Sequence, residues 1–260
     1  MARFDNHRIL ITGAGAGIGA LMAEEFAKQG AEVIVTARRI SAARKVAERI
    51  KATGVVRAGR RVTAVDWAGE DGSAGQIEAE HVINCAGMWG RDVGRMLGSN
   101  VPLQACEHFY IVTEAIPDLP NTLPVLRDYD ACAYYKEDAG KILLGVFEPV
   151  AKPWGMDGIK EDFCFDQLPE DIDHIQPILE AAMSRVPVLA QTGIKMFFNG
   201  PESFTPDDRY HLGETAELGN LFIAAGFNSI GIQSAGGVGK VLAQWMKDGL
   251  PPQDISNEVI

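Results

Sequence analysis

The sequence predicts an α/β fold, in which a parallel, helix-covered sheet is assembled from both ends of the chain and a β-rich segment lies between them. Three observations carry this. An apolar strand, a glycine-rich loop and an amphipathic helix follow one another at the N-terminus, in RILITGAGAGIGALMAEEFAKQG. The same order returns near the C-terminus in NLFIAAGFNSIGIQSAGGVGKVLAQWMKDG. Between residues 101 and 199 the chain is instead rich in aromatic and proline residues and reads as several strands with one helix.

Taken in order, Arg8 to Thr12 is a short strand, and the helix after the loop places Leu21, Met22, Phe26 and Ala27 at helical spacing, with Gly30 as its C-cap. AEVIVTARR gives a second strand and ISAARKVAERIKATG a second amphipathic helix ending at Gly54, which completes a parallel βαβ unit. RRVTAVDWAGEDGSAGQIEAEHVINCAG then places two extended segments around a Gly-, Asp- and Ser-rich turn, and a further apolar strand ends at Asn84. Downstream, HFYIVTEA, AYYKE, KILLGVFE and GIKMFFN are strands and DIDHIQPILEAAMSRV is a helix, an antiparallel sheet with a helical cover.

Lys and Arg number 24 against 35 Asp and Glu, a formal charge of −11, which argues against a nucleic-acid backbone or an anionic membrane as partner and leaves a small molecule as the default. Cys85, Cys106, Cys132 and Cys164 form no CxxC pair, so neither a metal site nor a redox dithiol is signalled. MARFDNHRILITG enters its first strand without a basic and apolar leader, and no apolar run approaches a membrane span, so a cytoplasmic protein is expected.

Gly13, Gly17 and Gly19 fall where a dinucleotide's pyrophosphate must approach backbone N–H groups at a helix start, where a Cβ would hold it away. This gives a Rossmann-like dinucleotide-binding domain from residues 1–100 and 200–250, a substrate domain at 101–199 and a tail at 251–260. Position 18 is Ile18, not the third glycine of the common fingerprint; the pattern T-G-x-x-x-G-I-G resembles short-chain dehydrogenases. That resemblance implies that Arg38 and Arg39 receive the 2′-phosphate of NADP, unless they are only a solvated cluster, and that Asp66 contacts adenine. The same family needs Y-x-x-x-K for proton transfer, and none of Tyr110, Tyr129, Tyr134, Tyr135 and Tyr210 has Lys four residues on.

IEAEHVINCAGMWGRDVG, NVPLQACEHFYIVTEAI, ILLGVFEP, FFNGPESFTPDDRYHLGE and LFIAAGFNSIGIQSAGGVGKVLAQWM together resemble FAD-dependent amine oxidoreductases of the dimethylglycine and sarcosine dehydrogenase type, with the D-amino-acid-oxidase fold. The resemblance implies FAD, with NADP as the alternative cofactor, and an N-methyl amine or amino acid losing hydride from the carbon beside nitrogen. It places Ala86, Gly87 and Trp89 over the flavin phosphate and ring. Gly226, Asn228, Ser229, Gly231 and Ile232 lie along the isoalloxazine, and Gly236, Gly237 and Gly239 admit the following helix to it. His108 and Tyr110, which alternate onto one strand face, become the catalytic pair, with a buried aromatic face as the other reading. Glu202 is expected to hold a turn.

Strand two ends in Thr36-Ala37-Arg38 rather than in an acidic residue, and only a short stretch separates it from NCAGMW. The chain therefore reads as a composite, a short-chain-dehydrogenase-like front joined near the Gly-Ser-rich turn to the back of a dimethylglycine-dehydrogenase-like protein. A non-catalytic protein remains the alternative to an oxidoreductase, and no oligomeric state is specified.

Overall fold

A computed structural model describes residue 4 and residues 7–12, 17–36, 50–69, 72–160, 163 and 166–252. The chain divides into two compact units, Met1–Gln104 with Ser203–Ile260, and Ala105–Glu202. The first begins with β1 (Arg8–Thr12), α1 (Gly17–Lys28), β2 (Glu32–Thr36), β3 (Ile50–Ala58), β4 (Arg61–Gly69), β5 (Ala74–Glu78), β6 (His81–Asn84) and α2 (Gly90–Leu97). Next come β7 (Gln104–Thr113), β8 (Leu126–Asp128), β9 (Ala133–Glu137), β10 (Ile142–Val146), β11 (Lys152–Pro153), α3 (Ile172–Arg185) and β12 (Ile194–Phe204). The chain closes with β13 (His211–Glu214), β14 (Leu221–Ala225) and α4 (Gly231–Asp248).

The first unit is built on a sheet of order β13-β14-β6-β1-β2, in which β14, β6, β1 and β2 are parallel and β13 is antiparallel to β14. Both faces of the sheet are covered, so its central strands are apolar runs. Alternate residues serve the two faces. Ile9, Ile11, Ile83, Phe222 and Ala224 pack with Met22 and Phe26 of α1 and Val238, Leu242 and Trp245 of α4. Leu10, Val82 and Leu221 pack on the opposite side with Val62, Val65 and Leu97. That side is covered by α2 and by a separate antiparallel sheet, β3-β4-β5.

Residues 50–54 correct the sequence expectation. They belong to β3 and pair with β4, Gly54 opposite Asp66 and Val55 opposite Val65, instead of ending a second helix. Pairing with a neighbouring strand outweighs the local helical periodicity there. Residues 40–49 of that expected helix lie outside the described residues.

The second unit holds a sheet of order β11-β7-β10-β9-β8, antiparallel along this path, and β12 also pairs with β7. Helix α3 covers one face through Ile175, Ile178 and Ala182, against Phe109, Ile111, Tyr135, Leu144 and Val146. It starts where Asp171 Oδ1 accepts the His174 N–H at 3.1 Å. Among the described residues, no helix is long and apolar enough to cross a membrane.

Candidate functional site

The carboxyl ends of the parallel strands β1, β6 and β14 lie side by side, Thr12 opposite Asn84 and Asn84 opposite Ile223. In an open α/β sheet this edge is where ligands bind, because loops leave it and helices start from it with their N–H groups free. Two polar side chains, each at the end of an apolar strand, shape the edge. Thr12 Oγ1 donates to the Ile83 carbonyl at 3.2 Å and accepts from Cys85 N at 3.4 Å. Buried Asn84 accepts the Ala86 N–H on Oδ1 at 3.2 Å and donates from Nδ2 to the Gly90 carbonyl at 2.8 Å. Ala86, Gly87 and Trp89 are thereby held in a fixed turn, a 3-10 helix over Gly87–Trp89. Gly87 has φ +57, and a Cβ there would meet nothing within 4 Å.

The turn from β14 to α4 is more constrained. Gly226 sits at φ +71, where a Cβ would collide with the Thr205 methyl and lie 2.8 Å from Leu103 Cδ2. Asn228 and Ser229 follow at φ +47 and +69, in a region non-glycine residues avoid. Asn228 holds its position by accepting the Thr205 N–H at 3.0 Å and donating to Thr205 Oγ1 at 3.1 Å. Helix α4 then begins with no side-chain cap at Ile230. Ile232 is 90% exposed on its first turn, and a Cβ on Gly236 or Gly237 would meet no atom within 4 Å. Gly239 instead faces Met22 Cγ, 3.4 Å from where its Cβ would be, and serves the contact between α4 and α1. An exposed apolar side chain, two open glycines and uncapped helical N–H groups suit a ligand with an anionic part and a flat apolar part. The residues present fit FAD.

Of the other expected cofactor residues, Gly17, Ile18 and Gly19 open α1, the next described element after β1, and Gly19 is buried. Gly13, Arg38 and Arg39 lie outside the described residues. Asp66 does not take the adenine position: it sits within β4 of the antiparallel sheet, where its Oδ1 accepts from Gln76 Nε2 at 3.0 Å. Glu202 itself lies inside β12 rather than in a turn. The edge also surrounds Cys85 with apolar atoms, and burial pushes its thiol up to about 12, which makes it unreactive.

In the second unit, His108 and Tyr110 share one face of β7. The Tyr110 ring stacks on Phe198 with centroids 4.6 Å apart, and the His108 ring lies 5.4 Å from that of Phe147. Tyr134 joins them, 5.9 Å from Phe147, over a strand position that must be glycine: opposite Tyr110 stands Gly145, whose Cβ would collide with the Tyr134 ring. Burial, and then the neighbouring Tyr110, raise the Tyr134 hydroxyl above its usual range, against the opposing pull of Arg127. His108 Nδ1 is 3.3 Å from Glu148 Oε2, with the Glu148 side chain only 7% exposed. Sequence reasoning passed over Thr12, Asn84 and Glu148. The two strand-end residues carried a signal, a lone polar side chain closing an apolar run, whereas nothing local marks Glu148.

Comparison with known proteins agrees with this geometry. The family model described as FAD dependent oxidoreductase matches residues 41–245, and so runs through the Gly-Ser-rich turn. The chain is 41% identical to mitochondrial sarcosine dehydrogenase of Mus musculus over 75% of its own length and 20% of that protein's. It is 42% identical to 4-methylaminobutanoate oxidase (formaldehyde-forming) of Paenarthrobacter nicotinovorans, over 70% of its length and 22% of the relative's. The chain thus spans about a fifth of the length of these curated relatives. In fold it is similar to L-proline dehydrogenase from P. horikoshii, with a TM-score of 0.75 at 15% identity, covering 97% of this chain and 96% of that one. With its carboxyl-edge turns fitted to a flavin and the family model spanning most of its length, the chain belongs to the FAD-dependent oxidoreductase family, whose cofactor is FAD.

Proposed function

We propose that this chain binds FAD at the carboxyl edge of its parallel sheet and takes part in oxidising a secondary or tertiary N-methyl amine or amino acid of the sarcosine or dimethylglycine type. The observation that carries the reading is the pair of turns after β6 and β14, one open at Gly87 and one forced through positive φ at Gly226, Asn228 and Ser229. Strained backbone of this kind is kept where it aims N–H groups at a ligand. In this reading the loop from Gly13 through Gly17, Ile18 and Gly19 holds the pyrophosphate of FAD, despite its likeness to a short-chain dehydrogenase loop, and Arg38 supports the adenosine end. Ala86, Gly87 and Trp89 would close over the ring. Backbone N–H groups of the Gly226–Ile232 turn would face its electron-rich edge, where donors stabilise negative charge, apart from that of Ile230, which donates to the Phe227 carbonyl.

Bound FAD supplies the hydride acceptor for a carbon-bound hydrogen. The chain's own part is to bind the substrate and free the nitrogen lone pair that assists departure of the hydride. Tyr110 donates its hydroxyl hydrogen to the substrate carboxylate, and His108 takes the ammonium proton. The aromatic neighbours of both residues provide the apolar surround that an N-methyl group prefers. Localisation in the cytoplasm and a soluble small-molecule substrate belong to the same proposal.

The test is reconstitution of the full chain with FAD or NADP, followed by desalting, absorbance and thermal unfolding. Expected are flavin bands that survive desalting and a raised midpoint with FAD alone. Loss of all flavin together with stabilisation by NADP overturns the reading.

A further inference from the structure

His108 and Glu148 form a buried pair in the second unit. Strand register puts the two together: Gly145 stands opposite Tyr110, so the chain beyond β10 runs past His108 and turns Glu148 toward its ring. The side chains are 15% and 7% exposed. Glu148 Oε2 meets His108 Nδ1 at 3.3 Å, while Glu148 Oε1 is buried with no hydrogen-bond partner among the described residues. A carboxylate withdrawn from water with one oxygen unpaired is a net cost to stability, in contrast to Asp128, which is engaged by Arg185 and by the Ala131 N–H.

An ionised carboxylate only accepts hydrogen bonds, so the imidazole nitrogen facing Glu148 must be the one that carries hydrogen. We propose, on the reading that this face handles an amine, that Glu148 is a positioning residue: it holds His108 as the Nδ1–H tautomer, which makes Nε2 the basic nitrogen of the ring and the one to which the substrate's proton passes. The proton leaves the ammonium nitrogen for Nε2. Neutral imidazole becomes imidazolium, the amine becomes neutral, and the new positive charge lies against Glu148. The carboxylate thus orients the base before transfer and stabilises it afterwards.

Other charged and titratable groups around the pair do not replace Glu148 in this role. On β7, Cys106 and Tyr110 flank His108, and burial, then the charge of Glu148, keeps the Cys106 thiol raised and neutral. Tyr134 on β9 is likewise raised. From β8, Arg127 stacks over the Phe147 ring, 4.3 Å from its centroid. Lys152 on β11 is engaged by Glu107 and Asp171, at 3.2 and 2.6 Å.

The test reads the ring directly and needs no flavin. In the full chain labelled with ¹⁵N-histidine, long-range proton–nitrogen spectra of neutral His108 are expected to show Nδ1 protonated and Nε2 bare. His108→Gln identifies the signal. In Glu148→Leu, which removes the acceptor facing Nδ1, the ring hydrogen is expected to redistribute toward Nε2, and Glu148→Gln, which keeps an amide oxygen there, is expected to retain most of the wild-type pattern. A protonated Nε2 in the wild-type protein overturns the proposal without any variant having to fold. So does a nitrogen pattern unchanged in a folded Glu148→Leu. In the reconstituted protein acting on sarcosine, Glu148→Leu is expected to lower kcat at least tenfold, with Glu148→Gln restoring most of it. A kcat unchanged in Glu148→Leu overturns the proposal. If the nitrogen pattern comes out as expected but no amine reduces bound flavin, the amine oxidoreductase reading has failed and the role in proton transfer falls with it, while the tautomer assignment stands.

Discussion

Gly226 meets two independent demands at one position, a left-handed backbone and a missing side chain, since the Thr205 methyl and Leu103 occupy the space a Cβ would take. Gly226→Ala is therefore expected to cost about 2–4 kcal/mol, from strain and overpacking together. A denaturant midpoint shift measures it, and a loss below 0.5 kcal/mol, on the order of an ordinary surface change, contradicts the assigned geometry. His81 gives a pH signature. Burial lowers its imidazole to about 4, with His7 and Arg61 adding to the effect, and its Nδ1 has no hydrogen-bond partner among the described residues. The unfolded chain binds this proton below about 6.5 while the folded chain resists it until about 4, so stability rises with pH across that window. Chemical denaturation at pH 4.5 and 6.5 is expected to show that rise, and His81→Phe, which keeps the ring beside Phe222, to flatten it. At this scale the glycines of the site were legible because their chemistry is the absence of a side chain. Glu148 was not, because its meaning depends on a strand 40 residues away.

Among elements, repeated strand, loop and helix units were readable from local pattern, and so was the strand-rich middle with its single long helix. The failure at 50–54 is instructive. KATGVVRA ends an amphipathic run, yet its β-branched residues pair across to β4, and Val55, Val56 and Gly54 take their partners from a strand the local window does not include. Asp66 misled for a related reason. A carboxylate ending an apolar strand is a nucleotide signal only if that strand lies in the parallel sheet, and RVTAVD lies in the antiparallel one. The antiparallel sheet contributes to the core through alternate residues, so Val65→Ala, fully buried against Leu10 and Val82, is expected to lose about 1–3 kcal/mol. Equilibrium unfolding checks it, and a neutral result contradicts the packing of β4 beneath the parallel sheet.

For the molecule as a whole, a net charge of −11 argues against nucleic-acid and anionic-membrane partners, but two cofactors remained open in the sequence. The physical reason is that any dinucleotide needs a tight strand-to-helix turn, so one glycine loop identifies the ligand's phosphates and not its reactive ring. On the proposed reading the ring is addressed by the second glycine-rich turn, after β14, more than 200 residues later.

That distance also bears on how the chain acquires its structure. Strand β6 has β1 on one side from early in the sequence, but its other neighbour, β14, begins only at Leu221. The Ala105–Glu202 unit is contiguous and closes its own apolar cluster from within. During synthesis from the N-terminus, the middle of the chain can therefore collapse while the first half-sheet still waits with an unpaired edge, the kind of species that aggregates or recruits a chaperone. Long-range pairing of this order makes for slow folding. The carboxyl edge of the parallel sheet, which needs β1, β6 and β14 together, is completed only when the end of the chain arrives.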